Sequence, residues 1–582
     1  MSYPEFKTET YDCTGGINTK ASPYLTGNNQ FLDLINVNFV QPGALTKRPG
    51  TAPFVGATVS GRVTSGIQFE RLSGASYVIV AANTNLYTIS AGTFSALVTG
   101  LQSGALFDFV PFVDRLFAAN GSQFFKTDGA NFTNYGLPAP SGYGITAAYS
   151  SSGGFTGVVQ AAPGYFNDRG YFGPIGTVAT LTTHGASANT LFYYGLTLPP
   201  GFGVSGVQFY HTSPGGGDLF GSTQFPGSAV VSGATLADSS VLTTLVEPTN
   251  IYFTLTPRYL ELYNNQLFMA GFSTALSTAV WSDIGEPESV QPDYEAEFRT
   301  NDGDRITGMK AYSSALIVSK QRSFHRITGD DPNNFQLQEI SDQYGCLSNR
   351  AMVVWEDRLW FLDPKGVVEY NGANIGIVSN DIEPLFTSMN VAAAIDNATA
   401  LHVREKNEVW FAFPIDGATM NNCIAAYDYV AKAWTRYKGV DVSQMFLAQS
   451  PTIAITPFVC GYTGGVGYFG SSLFGDNSQS ITCTILTRFQ SDRGQTQESQ
   501  YRQFYLSVDP IFGATQSIGV NLRSNFGTSI QASRTMYQAP FQSRIDFGIP
   551  ARSIQAEIIH SSATLPFRVT GYAFASRLQR KT

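Results

Sequence analysis

The chain has 582 residues, of which 43% are hydrophobic and 13% charged, with a formal net charge of −8. That length exceeds one ordinary domain, and the apolar share is enough for several large cores. An acidic balance argues against wrapping nucleic acid, which requires clustered Lys and Arg to release counterions.

The composition already favours strands. The chain holds 58 Gly, 43 Phe and 29 Tyr, a mixture that suits short strands closed by tight turns. Charge at about half the usual share of roughly 25% points to surface spent on partners, because apolar interface cores are depleted in charge. The opening MSYPEFKTETYD has neither the basic nor the apolar region of a signal peptide. No run of about 18 apolar residues occurs, so no membrane-spanning helix is expected.

Residues 1–60 read as an N-terminal arm ending in the first strand of a repeat region. The repeat is a polar turn, an apolar strand, a second turn and a second strand. It runs through SYVIVAANTNLYTI from Ser76 and DRLFAANGSQFFKTDG from Asp114, which assigns 61–136 to a first group of repeats. Residues 137–250 interrupt it. They begin at the Pro/Gly/Ser-rich LPAPSGYG and contain an apolar strand around Val204, Val207, Phe209 and His211, then a Gly-rich turn from Gly215. This reads as a small β-sandwich of fibronectin or immunoglobulin type, inserted in a loop whose host ends stay close.

The repeat resumes over 251–487, with NNQLFMAG from Asn264, SSALIVSKQRSFHRITG from Ser313, DRLWFLDPKGVVEYNG from Asp357, KNEVWFAFP from Lys406 and FVCGYTGGVGYFG from Phe458. The apolar anchors are Val78, Leu116, Leu267, Leu316, Leu359, Val409 and Phe458, mostly about 38 to 50 residues apart. That is the period of a propeller blade, one four-stranded sheet per repeat. The expected fold is therefore all-β: a β-propeller of about seven blades, with two stacked β-sandwiches as the competing architecture. Within this region SNDIEPLF suggests one short helical turn with Ser379 as its N-cap. Over 488–582 the period stops. Ile518, Val520 and Leu522 alternate with Gly519, Asn521 and Arg523, and the segment reads as a C-terminal β-sandwich.

No catalytic, cofactor or metal site emerges. His184, His211, His325, His402 and His560 are isolated, and Cys13, Cys346, Cys423, Cys460 and Cys483 form no CxxC pair; the cysteines read as buried free thiols. Gly465, Gly467 and Gly470 spell GxGxxG, but no helix follows, so a hairpin turn is the simpler reading. DRGQT, from Asp492 to Thr496, is a single partial match to the Asp-box turn of sialidase propellers. Asp302, Asp304, Asp330 and Asp331 fall in turns, where Asp bonds its own backbone. Trp355, Trp360, Trp410 and Trp434 suit packing between sheets better than a sugar platform. The chain therefore reads as a non-enzyme.

The segment GGINTKASPYLTGNNQFLDLINVNFVQPGALTKRPG, from Gly15 to Gly50, resembles the opening of the tail tubular and nozzle proteins of short-tailed bacteriophages. The matching residues are Gly15, Gly16, Asn36, Leu45, Lys47, Arg48 and Pro49, with one extra residue before the Leu. The repeats up to about Gly470 are similar to those of the same family. The resemblance implies a virion component assembled in the host cytoplasm: a homo-oligomeric ring, a hexamer, below the head–tail adaptor protein. It lines the exit channel, retains and guides double-stranded DNA without reading its sequence, and contacts tail fibre or spike proteins. A tail-tip receptor- or glycan-binding adhesin is the alternative. On this reading the GGINTK arm adds an edge strand to a blade.

Overall fold

Antiparallel strands dominate the computed structural model, which describes all residues except 1–6, 24, 42, 91, 150–155, 183–188, 200–202, 232, 239–241, 245, 247–254, 301, 493, 495, 509–515, 539–543 and 579–582. Among the described residues, seven four-stranded units follow one another, the sixth of them part of a larger sheet. Sheet 1 spans Val63–Glu70, Ser76–Ala82, Asn85–Ser90 and Thr93–Val98. Sheet 2 runs from Asp108–Phe112 to Phe132–Asn134, sheet 3 from Tyr259–Tyr263 to Glu295–Glu297, and sheet 4 from Ile306–Tyr312 to Gln336–Ser341. Sheet 5 runs from Met352–Trp355 to Ile375–Ile377 and sheet 6 from Thr399–Val403 to Ala433–Tyr437. Sheet 7 takes Gln444–Ser450, Ile453–Cys460 and Val466–Gly470 from this end of the chain. Its fourth strand is Gly50–Pro53, from the arm.

Tight hairpins join the first and second strands. In sheet 3 the two-residue loop is Asn264–Asn265, at φ 46° and 59°, the left-handed pair that matches strand twist and that Asn tolerates. Sheet 2 makes the same turn with Val113 at φ 52° and Asp114 at φ 59°. A β-branched residue is strained there, and Asp114 is held by the Leu72 amide at 2.7 Å and by Arg71 at 3.1 Å.

Second strands carry consecutive apolar residues because both faces of each sheet are covered. Leu267, Phe268, Met269 and Ala270 are all buried, as are Leu316, Ile317 and Val318, and the seven anchor residues are buried without exception. Each neighbouring pair of sheets shares a core. Phe117 of sheet 2 packs with Leu267 of sheet 3, Phe268 of sheet 3 with Leu316 of sheet 4, and Ile317 of sheet 4 with Leu359 of sheet 5. Trp360 of sheet 5 packs with Tyr427 and Trp434 of sheet 6, and Trp410 of sheet 6 shares a core with Val459 of sheet 7. Phe458 of sheet 7 meets Val78 and Val80 of sheet 1, and Ala81 of sheet 1 meets Ala118 of sheet 2. The order returns to its start, and the first strands neighbour one another in the same cyclic order.

Two further units flank this circuit. Between sheets 2 and 3, a three-stranded sheet (Gly144–Tyr149, Asn189–Tyr194, Thr235–Asp238) faces a five-stranded sheet centred on Val158–Asn167. They share Val159, Tyr165, Leu191, Tyr193, Val207 and Phe209, with Tyr193 and Phe209 stacked at 3.6 Å. Arg115 pairs with Asp168, and Arg169 with Glu286 at 2.9 Å, tying this unit to sheets 2 and 3.

The terminal unit also has two sheets, and here the arm and the C-terminal segment are interleaved. Lys7–Asp12 pairs with Arg568–Leu578, Val37–Gln41 and Ala44–Lys47 extend the same sheet, and Phe31–Ile35 pairs with Gln479–Thr487 in the other. The segment 488–582 therefore does not close a core alone: Tyr11, Phe31, Leu34 and Leu45 fill it together with Phe504, Val520 and Ile558. Phe31–Ile35 also meets sheet 6 in parallel, through Ile35 and Arg436, so sheet 6 and the terminal sheet form one ten-stranded surface.

Two local expectations change. The edge strand given to a repeat is Gly50–Pro53, not the GGINTK segment. The latter runs along sheet 6 and the loop after sheet 5, with the Ile17 amide on the Trp434 carbonyl at 3.0 Å and the Thr19 amide on Asp381 at 2.8 Å. Ser379 precedes a 3-10 turn, Asn380–Ile382, but does not cap it; its hydroxyl accepts the Val367 amide at 2.9 Å, a tertiary bond that outcompetes the local one. The helices Glu383–Thr387 and Val391–Asn397 follow, the second capped by Asn390. Leu316→Ala, at a fully buried anchor, should cost about 2–5 kcal/mol, read as a lowered midpoint in urea denaturation; an unchanged midpoint contradicts the shared core of sheets 3 and 4.

Candidate functional site: a buried clasp

The motif residues of the arm converge. Asn36 ends the strand Phe31–Ile35 in the left-handed region, at φ 57°, where Asn is among the few side chains tolerated. Its amide donates to the Arg436 carbonyl at 2.8 Å, its side-chain amide to Thr482 at 2.9 Å, and its side-chain oxygen accepts from the Lys438 amide at 2.9 Å. That same oxygen accepts from Arg48 Nε at 2.9 Å. Asn36 thus holds sheet 6, the terminal unit and the arm with one side chain.

Arg48 is fully buried. A buried guanidinium is costly unless its donors are met and its charge paired, and here both conditions hold. Nη1 donates to the Pro49 carbonyl at 2.9 Å and to Asp476 Oδ1 at 3.0 Å, Nη2 reaches Asp476 Oδ2, and the group lies 5.8 Å from the centroid of the Tyr437 ring. Asp476 also accepts from the Thr51 amide and hydroxyl, both at 3.1 Å. One ion pair therefore pins the closing strand of sheet 7 to the chain entering the terminal unit.

The glycines are there for close approach. A Cβ on Gly16 would lie 2.6 Å from the Trp434 amide nitrogen, and one on Gly15 2.8 Å from the Asn29 carbonyl. Leu45 is buried in the terminal core. Lys47, also buried, donates to the Ser562 carbonyl, and burial lowers its pKa. Pro49 contributes its carbonyl to Arg48. These residues fasten parts of one chain together.

The other candidates are placed as follows. Trp355, Trp360, Trp410 and Trp434 are buried between sheets. Gly465 precedes, and Gly467 and Gly470 lie in, the strand that pairs with Gly50–Pro53. Asp304 accepts from the Arg305 and Arg322 amides at 2.8 and 3.0 Å, Asp331 from the Asn333 amide at 2.9 Å, Asp330 from the Asn334 side chain at 2.6 Å, and Asp302 from Lys320 at 2.7 Å. Asp492 accepts from Ser499 at 2.9 Å; residues 493 and 495 of DRGQT lie outside the described residues, as does His184. The five cysteines are buried and free, and burial pushes Cys346, Cys460 and Cys483 up to about 12. Among the described residues no group of three or more His, Cys, Asp or Glu is placed to hold a metal. Asp476 was missed by sequence reasoning; FGDNSQS marks only a turn, and nothing local says that its Asp faces an Arg more than four hundred positions earlier.

No family model matches the chain, and no curated protein does. Among solved structures, the extracellular domain of a hybrid two-component system protein from B. thetaiotaomicron aligns at 9% identity over 98% of this chain and 99% of its own, with a TM-score of 0.19. An exo-beta-1,3-galactanase from Phanerochaete chrysosporium, solved with galactose, aligns at 10% identity over 66% of this chain and 93% of its own, with a TM-score of 0.16. Neither superposes closely enough to transfer a fold or an activity.

Arg48→Ala should destabilise the protein by about 3–5 kcal/mol, because Asp476 loses its partner. Arg48→Lys should restore little of this, since an ammonium cannot make the fork; calorimetric melting of the three proteins tests both statements. A second prediction concerns His560, stacked on Phe567 at 4.7 Å and lowered by burial from 6.5 to about 4, with Lys47 adding to the effect. The unfolded imidazole takes a proton below pH 6.5 and the folded one does so only near pH 4, so stability is complete above that window and falls as pH drops through it. His560→Phe should flatten that part of the stability–pH profile.

Proposed function

We propose that the chain is a structural subunit of a short-tailed bacteriophage tail, of the nozzle or tail tubular type. In this reading the seven sheets are the blades of a β-propeller, the unit between sheets 2 and 3 is an inserted fibronectin- or immunoglobulin-like sandwich, and the terminal unit is a C-terminal sandwich. Six copies form a ring below the head–tail adaptor, line the path of the genome and carry fibre or spike contacts.

The observation that carries this reading is the clasp. The residues through which the sequence resembles the nozzle family, from Gly15 to Pro49, are the ones that join sheet 6, sheet 7 and the terminal unit. A motif that fastens an architecture transfers an architecture. It is a different kind of signal from a catalytic motif, and it favours a building part.

Two other features support assembly. A closed ring of identical subunits needs two different patches on each subunit, and the two flanking units supply separate surfaces. The strand Ile530–Gln538 lies at the end of the ten-stranded surface and leaves Ile530 50% and Tyr537 68% exposed. Apolar side chains on an outer strand invite pairing with another chain. The acidic balance of the chain, −8, suits a lumen along which a duplex slides without being held.

Electron microscopy of the assembled particle tests the proposal. Six copies around the viral axis, between adaptor and fibres, are expected. Copies decorating the periphery would transfer the reading to an adhesin, and a protein that never enters the particle would overturn both.

A further inference from the structure

We propose that one mouth of the seven-sheet circuit is a binding site for a small ligand bearing an oxyanion, a carboxylate or a phosphate. Antiparallel pairing puts the start of each first strand and the end of each second strand at the same end of a sheet. At that end Arg62 directly precedes the first strand of sheet 1, Arg258 that of sheet 3 and Arg305 that of sheet 4; Arg350 lies in the turn leading into sheet 5. Arg62, Arg258 and Arg305 line one cavity of about 540 Å³, and Arg350 lines an adjoining cleft that shares Arg258 and Tyr259. The volume falls in the usual range for small-molecule sites.

One of these arginines, Arg62, is incompletely used. Arg258 pairs with Asp396 at 2.8 Å, and Arg350 donates to the Thr64 and Asp396 carbonyls. Arg62 lies over the Tyr462 ring at 4.7 Å, and its Nε and Nη2 are buried with no hydrogen-bond partner among the described residues. Arg305 is exposed at the rim. Like charges gathered in a concave, partly dry site repel one another. Burial, and then the charge of Arg62, pull Arg350 down to about 10. Little negative charge offsets them. Among the described residues Asp396 is the one carboxylate lining the larger cavity, and burial raises Asp108, in the cleft, to about 7. On a chain of net charge −8, a guanidinium with buried, unmet donors in a cavity that two further arginines also line is the preparation a bidentate oxyanion requires.

The same geometry says what the site does not do. Glycosidic cleavage needs two carboxyl groups flanking the bond, and among the described residues the cavity lining offers only Asp396, already paired with Arg258. Tyr259 and Phe272 add apolar wall beside the charges, so the ligand's body is ring-sized and partly apolar, as an acidic monosaccharide or a phosphorylated sugar is.

Isothermal titration of the full chain with inorganic phosphate, glucuronate and glucose decides the matter. Saturable binding of phosphate or glucuronate, with glucose silent, is expected; the oxyanion that binds tells a phosphoryl from a carboxylate ligand. Arg62→Ala and Arg305→Gln should each weaken that binding at least tenfold, and Arg62→Lys less. Arg305 is exposed, so its variant keeps the fold whatever becomes of Arg62→Ala, and unchanged thermal melting checks this. Absence of saturable binding by both oxyanions, equal binding of glucose, or affinity unmoved by Arg305→Gln and Arg62→Lys together overturns the proposal.

Discussion

A four-stranded sheet with apolar side chains on both faces cannot stand in water, and the rest of this structure follows from that constraint. Covering one face with a neighbour leaves the neighbour's far face bare. The series ends only when the last sheet meets the first, as Phe458 meets Val78 and Val80. Each shared core then depends on two others. This is why a buried anchor recurs in the second strand of every repeat, and why sheet 7 must be completed, although the chain after Gly470 has already left for the terminal unit.

Completion comes from the arm. By lending Gly50–Pro53 to sheet 7 and Phe31–Ile35 to the terminal unit, the first part of the chain links elements that are made last. The clasp at Arg48 and Asp476 sits where these loans meet. Neither the circuit nor the terminal core is complete until both ends of the chain are present, so folding must wait for long-range contacts with their high closure entropy.

Much of this was legible in the residues. The strands, the anchors and the interruption between sheets 2 and 3 follow from short-range pattern: alternation, turn residues and spacing. The motif from Gly15 to Pro49 was visible as a motif, but its meaning was not, because the partners Trp434, Lys438 and Asp476 are remote in sequence and ordinary in type. The C-terminal segment reads as a self-sufficient unit since its strands alternate cleanly; the missing core residues, Tyr11 and Phe31 among them, leave no trace in its own pattern. The arginines at the mouth were equally silent. Each stands alone beside a strand, and only the cyclic arrangement makes them neighbours.

The ten-stranded surface has a mechanical meaning. Main-chain hydrogen bonds run unbroken from sheet 6 into the terminal unit, whereas the unit between sheets 2 and 3 is held by two chain crossings and by ion pairs such as Arg169 with Glu286. The two appendages are therefore joined to the circuit by different kinds of bond. A load on the terminal one passes through paired main chain, as through a welded bracket, while a load on the other reaches sheets 2 and 3 through side-chain contacts such as Arg115 with Asp168.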